Sequence, residues 1–261
     1  MSGNGRHASS SSPRPFRFRI FGFKDGRRSE MGRDCGVHLY GLRSAIRGNR
    51  WLLIVPLFIT LVVTLAQVFW KNGVSEMLQV TTAEIMGSLL AGFFGANLLD
   101  AEFRQKAGEV VFTKPYPAWR LLSGRVILAL MASLALVAAN DVALRLTWHL
   151  NYFGIALAAA IAPSLFLCAL GCILYVESGN VIVAYIGPTL FWVWSTLGEP
   201  IGLRFDRLYN PILQISAWSG YLAEPSATTF ETLIGNELTL ILTAFILIGW
   251  CCRRVRTAAL Q

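Results

Sequence analysis

Three sets of residues in this chain have the types and spacing that chemistry needs. The first is Asp100–Trp119, DAEFRQKAGEVVFTKPYPAW, in which three acids and three bases are interleaved ahead of two prolines. Mixed charge of this kind suits a grip on a protein partner in water, because a helix resting on an anionic leaflet carries a mainly basic polar face. The second set is Glu84, and Asp141 with Arg145 four residues on. Carboxyls inside apolar segments can carry protons or ions, but these fall close to the ends of their apolar runs. Glu84 reads as a solvated helix-end acid, with a place on a substrate path as the alternative. Asp141 with Arg145 reads as a surface pair at helical spacing, contributing about 0.2–0.5 kcal/mol. The third set is Cys168 and Cys172, also four apart. They could hold a soft metal, but no partner ligand is visible, and free cysteine otherwise behaves as a small hydrophobe. With Cys35, Cys251 and Cys252 they make neither a disulfide nor a metal-ligand framework.

Other chemistry is missing from the sequence. There is no G-x-x-x-x-G-K-[ST] phosphate loop, no H-E-x-x-H and no G-x-S-x-G. The histidines are His7, His38 and His149, and none suggests a zinc site. An intramembrane hydrolase needs a catalytic pair within its spans, and none is evident. The chain is therefore expected not to be an enzyme, and to bind no ATP or other cofactor itself.

The elements that must position these residues are apolar. Of 261 residues, 54% are hydrophobic and only 15% charged, against about a quarter charged in soluble domains. A membrane-crossing helix takes about 20 apolar residues. Six runs qualify: Trp51–Trp70, Thr82–Leu99, Leu121–Ala139, Tyr152–Val176, Val181–Leu197 and Leu233–Cys252. The expected fold is an all-α integral membrane protein with six transmembrane helices. Small residues at four-residue intervals, Ala91 with Gly95 and Ala156 with Ala160, predict close helix packing. Gly187-Pro188 predicts a kink in the fifth span.

Spans four and five are divided only by Glu177-Ser-Gly-Asn180, so charge must decide whether they are separate. With six spans, eleven Lys and Arg precede Trp51, five lie between Arg104 and Arg125, and three are Arg253, Arg254 and Arg256. All of these fall on one side, leaving four on the other: Lys71, Arg145, Arg204 and Arg207. That bias puts both termini in the cytosol. The same distribution argues against nucleic acid as the partner of the +8 net charge.

Residues 1–36 read as a basic, disordered cytosolic tail, and 257–261 as a short cytosolic end around a transmembrane domain at 37–256. No cleavable signal peptide is expected; the tail's composition also resembles a mitochondrial presequence. Within Val37–Arg50, Leu39, Leu42 and Ile46 form an apolar stripe and Arg43, Arg47 and Arg50 a basic one. This predicts an amphipathic helix on the inner leaflet; a short positive flank without helix is the alternative. Gly198–Thr232 is a long outer segment whose stretch Pro211–Leu222 is too short to cross. It fits either two short re-entrant helices before span six or a compact outer loop.

In the charged island, Phe103, Ala107, Val110 and Val111 make one helical stripe, with Glu102, Gln105, Lys106 and Glu109 largely off it. Pro115 and Pro117 stop that helix, and Arg120 can reach the inner headgroups. The segment resembles the stretch between spans two and three of type-2 exporter permeases, the transmembrane subunits of ABC transporters. The matching residues are Glu102, Gly108, Glu109, Thr113, Pro115, Arg120 and Gly124-Arg125, with Arg125 where lysine is common. The order of elements extends the resemblance over Val37–Arg256.

The resemblance implies a permease homodimer or heterodimer in a bacterial plasma membrane, exporting a substrate. Separate ABC ATPase subunits would bind ATP and Mg and dock from the cytosol. The island would be the coupling helix, with Glu102, Phe103, Arg104, Ala107, Gly108, Glu109, Val110, Thr113, Pro115 and Arg120 at the contact. Two other classes compete: a secondary carrier, for which no inverted repeat is evident, and a membrane-embedded enzyme or assembly factor without ATPases. Phe93, Phe94, Phe191, Trp192 and Trp194 fit a pathway for lipids, drugs, peptides or a polyketide, or a face turned to lipid.

Overall fold

A backbone in hydrocarbon must satisfy its own hydrogen bonds, and this chain does so with helices. The computed structural model describes residues 51–69, 75–104, 118–197, 218, 221–222 and 225–258. Among them there is no strand, and six helices follow in order: α1 Trp51–Val68, α2 Glu76–Arg104, α3 Ala118–Trp148, α4 Phe153–Ser178, α5 Val181–Leu197 and α6 Ala227–Ala258. Four are long and apolar enough to cross a membrane, over Glu76–Asp100, Trp119–Trp148, Phe153–Ser178 and Ala227–Val255. The shorter apolar stretches are Ile54–Val68 and Val181–Ser195. The expected amphipathic helix at Val37–Arg50, the tail before it and most of the segment before α6 lie outside the described residues.

The expected spans each correspond to one helix. α5 has the expected bounds, whereas α2 starts six residues before Thr82 and α3 runs nine beyond Ala139. α4 and α5 are separate. α4 closes on Gly179, whose φ of 63° puts it in the left-handed region and whose N–H donates to the Tyr175 carbonyl. Asn180 Oδ1 then accepts from the Ile182 N–H at 2.9 Å and starts α5. A side chain at position 179 would oppose that geometry, which explains glycine there.

α4 is the central helix, packed against α2, α3, α5 and α6. α2 and α4 run parallel: Gly87 lies against Ala160 and Ser164, and Gly95 against Cys168 and Cys172. The two backbones nearly touch, since a Cβ on Gly171 would stand 3.0 Å from the Gly92 carbonyl oxygen. Ala91, Ala156 and Ala160 are fully buried beside them, as the small-residue spacing predicted. α5 passes through Gly187-Pro188 without a break, and Pro188 packs on Gly92. Cys168, Cys172 and Cys251 are buried thiols within the main core, which for Cys168 and Cys172 agrees with their reading as small hydrophobes.

Large apolar side chains face outward instead, among them Phe58, Leu146, Leu190, Phe245 and Ile246. In water such a surface would be an association or aggregation hazard; against lipid it costs nothing. The aromatics are divided. Phe94 is buried, Phe93 stacks on Tyr185 at 5.2 Å and Phe191 tilts against Phe166 at 4.9 Å, while Trp194 is exposed.

The turn between α4 and α5 marks what is called here the lower end of the bundle. There Arg254 of α6 grips Glu177 of α4 in two places, Nε to Oε1 at 3.0 Å and Nη2 to Oε2 at 3.1 Å. The parallel run of α2 and α4 brings the last turn of α2, with Glu102, Phe103 and Arg104, to the same end.

Candidate functional site

The polar interior lies at the upper end, where α1 ends and α2 begins. Thr64 Oγ1 donates to Asn140 Oδ1 at 2.7 Å, joining α1 to α3. One helical turn further, Gln67 Nε2 donates to Thr82 Oγ1 at 2.8 Å, joining α1 to α2. The Gln79 side chain, three residues before Thr82, lies against the carboxyl of Asp141, the neighbour of Asn140, although the two side chains do not reach hydrogen-bond geometry. Residues three apart on a helix share a face, so these contacts close a circuit through three helices. Gln79 and Asp141 are both fully buried.

Beside this circuit, a second carboxylate receives the chain that precedes α6. The Trp218 backbone N–H donates to Glu84 Oε1 at 3.0 Å. Glu84 is fully buried, and Trp218 and Leu222 pack against the main core. The Trp218 indole lies toward the carboxyl of Glu237 on α6, next to buried Asn236. At 1.5 Å per residue, Glu84 stands roughly 12 Å inside the start of α2, Asp141 roughly 10 Å before the end of α3, and Glu237 roughly 15 Å into α6.

These positions correct three expectations. Glu84 is not a solvated helix-end acid, because its carboxylate is enclosed by the bundle and accepts from Trp218. Asp141 and Arg145 do not form a surface pair: Asp141 is fully buried while Arg145 is exposed. The acids do not all cluster at interfaces. The cause is the same in each case: hydropathy draws a span too short, and the helices continue past Thr82 and Ala139, so Glu84 and Asp141 lie well inside them. Glu237 was missed although it lies inside the apolar run Leu233–Cys252, and an acid in such a run is itself the signal that could have found it.

The island assigned to the partner contact is only partly visible. Glu102, Phe103 and Arg104 belong to the last turn of α2, not to a new helix. Ala107, Gly108, Glu109, Val110, Thr113 and Pro115 lie outside the described residues. Arg120 stands in the first turn of α3, half-buried, with its guanidinium 5.4 Å from the centroid of the Trp119 ring. Two charged residues of α2 and α3 are buried at this end: Asp100 near the end of α2 is 7% exposed and Arg125 near the start of α3 only 2%. Neither burial was legible from composition.

No known family model, curated protein or solved structure matches this chain. Among the described residues no three His, Cys, Asp or Glu side chains come together to hold a metal. The chemistry on view is therefore that of buried carboxylates and amides in an apolar bundle. Such an arrangement can hold a small ion or proton, and it holds Trp218 by its backbone N–H.

Proposed function

We propose that this chain is the permease subunit of an ATP-driven exporter of the type-2 ABC kind, spanning a bacterial plasma membrane six times with both termini cytosolic. It pairs with a second permease, and separate ATPase subunits supply the energy. The observation that carries the reading is the continuity of α2. One helix of 29 residues leads from the charged island at its lower end to Glu84, which holds the Trp218 segment near its upper end. Packed rigidly along α4, such a helix transmits a push from below to the opposite side. The island follows it directly and has the mixed charge of a protein-docking element. The lower end also carries Arg253 and Arg254, as the charge bias of a cytosolic side requires.

Purification in mild detergent tests this. A stoichiometric nucleotide-binding subunit should accompany the chain, and ATP hydrolysis by the complex should respond to the transported substrate. A chain that transports without any such subunit overturns the reading.

The buried acids Glu84 and Asp141, with half-buried Glu237, favour a second reading, a carrier driven by an ion gradient. It requires uptake into nucleotide-free proteoliposomes that follows an imposed sodium or proton gradient.

A further inference from the structure

The circuit between α1, α2 and α3 holds more acceptor capacity than its own donors satisfy. Gln67 Oε1, Gln79 Oε1 and both carboxyl oxygens of Asp141 are buried without a hydrogen-bond partner among the described residues. The buried nitrogens in the same state are Gln79 Nε2 and Asn140 Nδ2. Buried polar atoms are rarely left so, and a concentration of them marks a site that something else completes. One proton on Asp141 would supply a single donor and leave most of these oxygens unmet. A cation meets several at once.

No side chain on view supplies that positive charge. The described part of α1 carries no charged residue, and α4 no base. The bases of α2 and α6 are Arg104, Arg253, Arg254 and Arg256, all at the lower end. Arg145 on α3 is exposed. The other ionisable residues toward the upper end are Glu76, Glu84, His149, Tyr152, Tyr221, Glu231 and Glu237; His149 is exposed, and the rest carry no positive charge in any protonation state. An enclosed carboxylate needs a counter-charge. The donor set is hard oxygen throughout, which selects alkali and alkaline-earth ions over soft metals. A single carboxylate balances one positive charge, and divalent ions of this class bind through more carboxylates or keep much of their water.

We propose that Asp141, with the amide oxygens of Gln79 and Gln67, binds one monovalent cation of sodium's size between α1, α2 and α3. Thr64 and Thr82 hold Asn140 and Gln67 in place around it. This site is independent of the ATP-driven reading, since it depends neither on the island nor on a partner.

Thermal unfolding of the full chain in lipid nanodiscs tests the site without substrate or ATPase. Sodium chloride is titrated against choline chloride at constant ionic strength and pH. The unfolding midpoint of the wild type should rise with sodium and saturate. Asp141→Asn should abolish the rise, Gln79→Leu should raise the half-maximal sodium concentration roughly 10-fold or more, and Arg145→Gln should behave as wild type. If Asp141→Asn does not fold, the wild-type titration and Gln79→Leu decide. Equal midpoints in sodium and choline for the wild type overturn the proposal. So does stabilisation produced only by lowering the pH, which would mean that Asp141 holds a proton instead.

Discussion

The backbone N–H of Trp218 donates to Oε1 of Glu84 at 3.0 Å, so a residue from the segment before α6 is tied to a carboxylate buried within α2. The tie joins parts of the chain 134 residues apart. α2 thus runs from Glu102–Arg104 at the lower end to a carboxylate that holds Trp218 near the upper end.

Replacing Glu84 tests that tie. Glu84→Gln keeps an oxygen for the Trp218 N–H and should cost at most about 1.5 kcal/mol. Glu84→Leu leaves the N–H without its acceptor and should cost about 1–3 kcal/mol. Thermal unfolding in nanodiscs measures both. Protease sensitivity around Trp218 should increase for Glu84→Leu much more than for Glu84→Gln.

The close contact of α2 with α4 predicts an asymmetry between glycines. Gly171→Ala drives a methyl group to 3.0 Å from a backbone oxygen, which cannot turn away. It should destabilise the protein by about 1–3 kcal/mol. Gly249→Ala on α6 meets nothing within 4 Å and should be neutral or stabilise by up to about 1 kcal/mol. Comparing the two unfolding midpoints checks this, and an equal loss at both sites would contradict the packing described.

The two-point contact of Arg254 with Glu177 should matter little for stability. Both side chains are well exposed, at 57% and 35%, and solvent-screened pairs contribute about 0–1 kcal/mol. A double-mutant cycle of Arg254→Ala and Glu177→Ala should give a coupling in that range, declining with salt. A coupling of several kcal/mol would mean that the lower end is far less hydrated than described.

Charge reversal at Glu109, or a bulky residue at Gly108, should uncouple ATP hydrolysis from export while leaving membrane insertion and the unfolding midpoint unchanged. Hydrolysis and export assayed on the same reconstituted complex show whether the two separate. If both variants export as the wild type does, the island is not the coupling element.

The helices were legible because lipid imposes one simple demand, a long apolar run for each crossing, and α5 matches its expected bounds. The small-residue spacing in α2 and α4 was legible for a related reason, since close approach needs residues without bulk. The functional interior was not. An acid such as Asp141 looks the same in sequence whether it meets water or a neighbouring helix. Its burial depends on Gln79, 62 residues earlier in the chain, and on how far α3 extends. Hydropathy ended that helix at Ala139 and so placed Asp141 outside. Glu84 lay within its expected span, but starting that span at Thr82 rather than Glu76 put it at a helix end. Arg125 shows the limit from the other side: its charge matched the family pattern, but nothing in the sequence marked it as one of the most buried large side chains.

The central claim is that the island seats on an ATPase. A photo-reactive amino acid at Glu109 or Val110, activated in intact cells, tests it most directly. The account predicts one dominant adduct with a nucleotide-binding ATPase subunit, lost when the same group is placed at exposed Trp148 at the upper end. Adducts at Glu109 and Val110 with lipid alone, in cells where the chain is transporting, would contradict it.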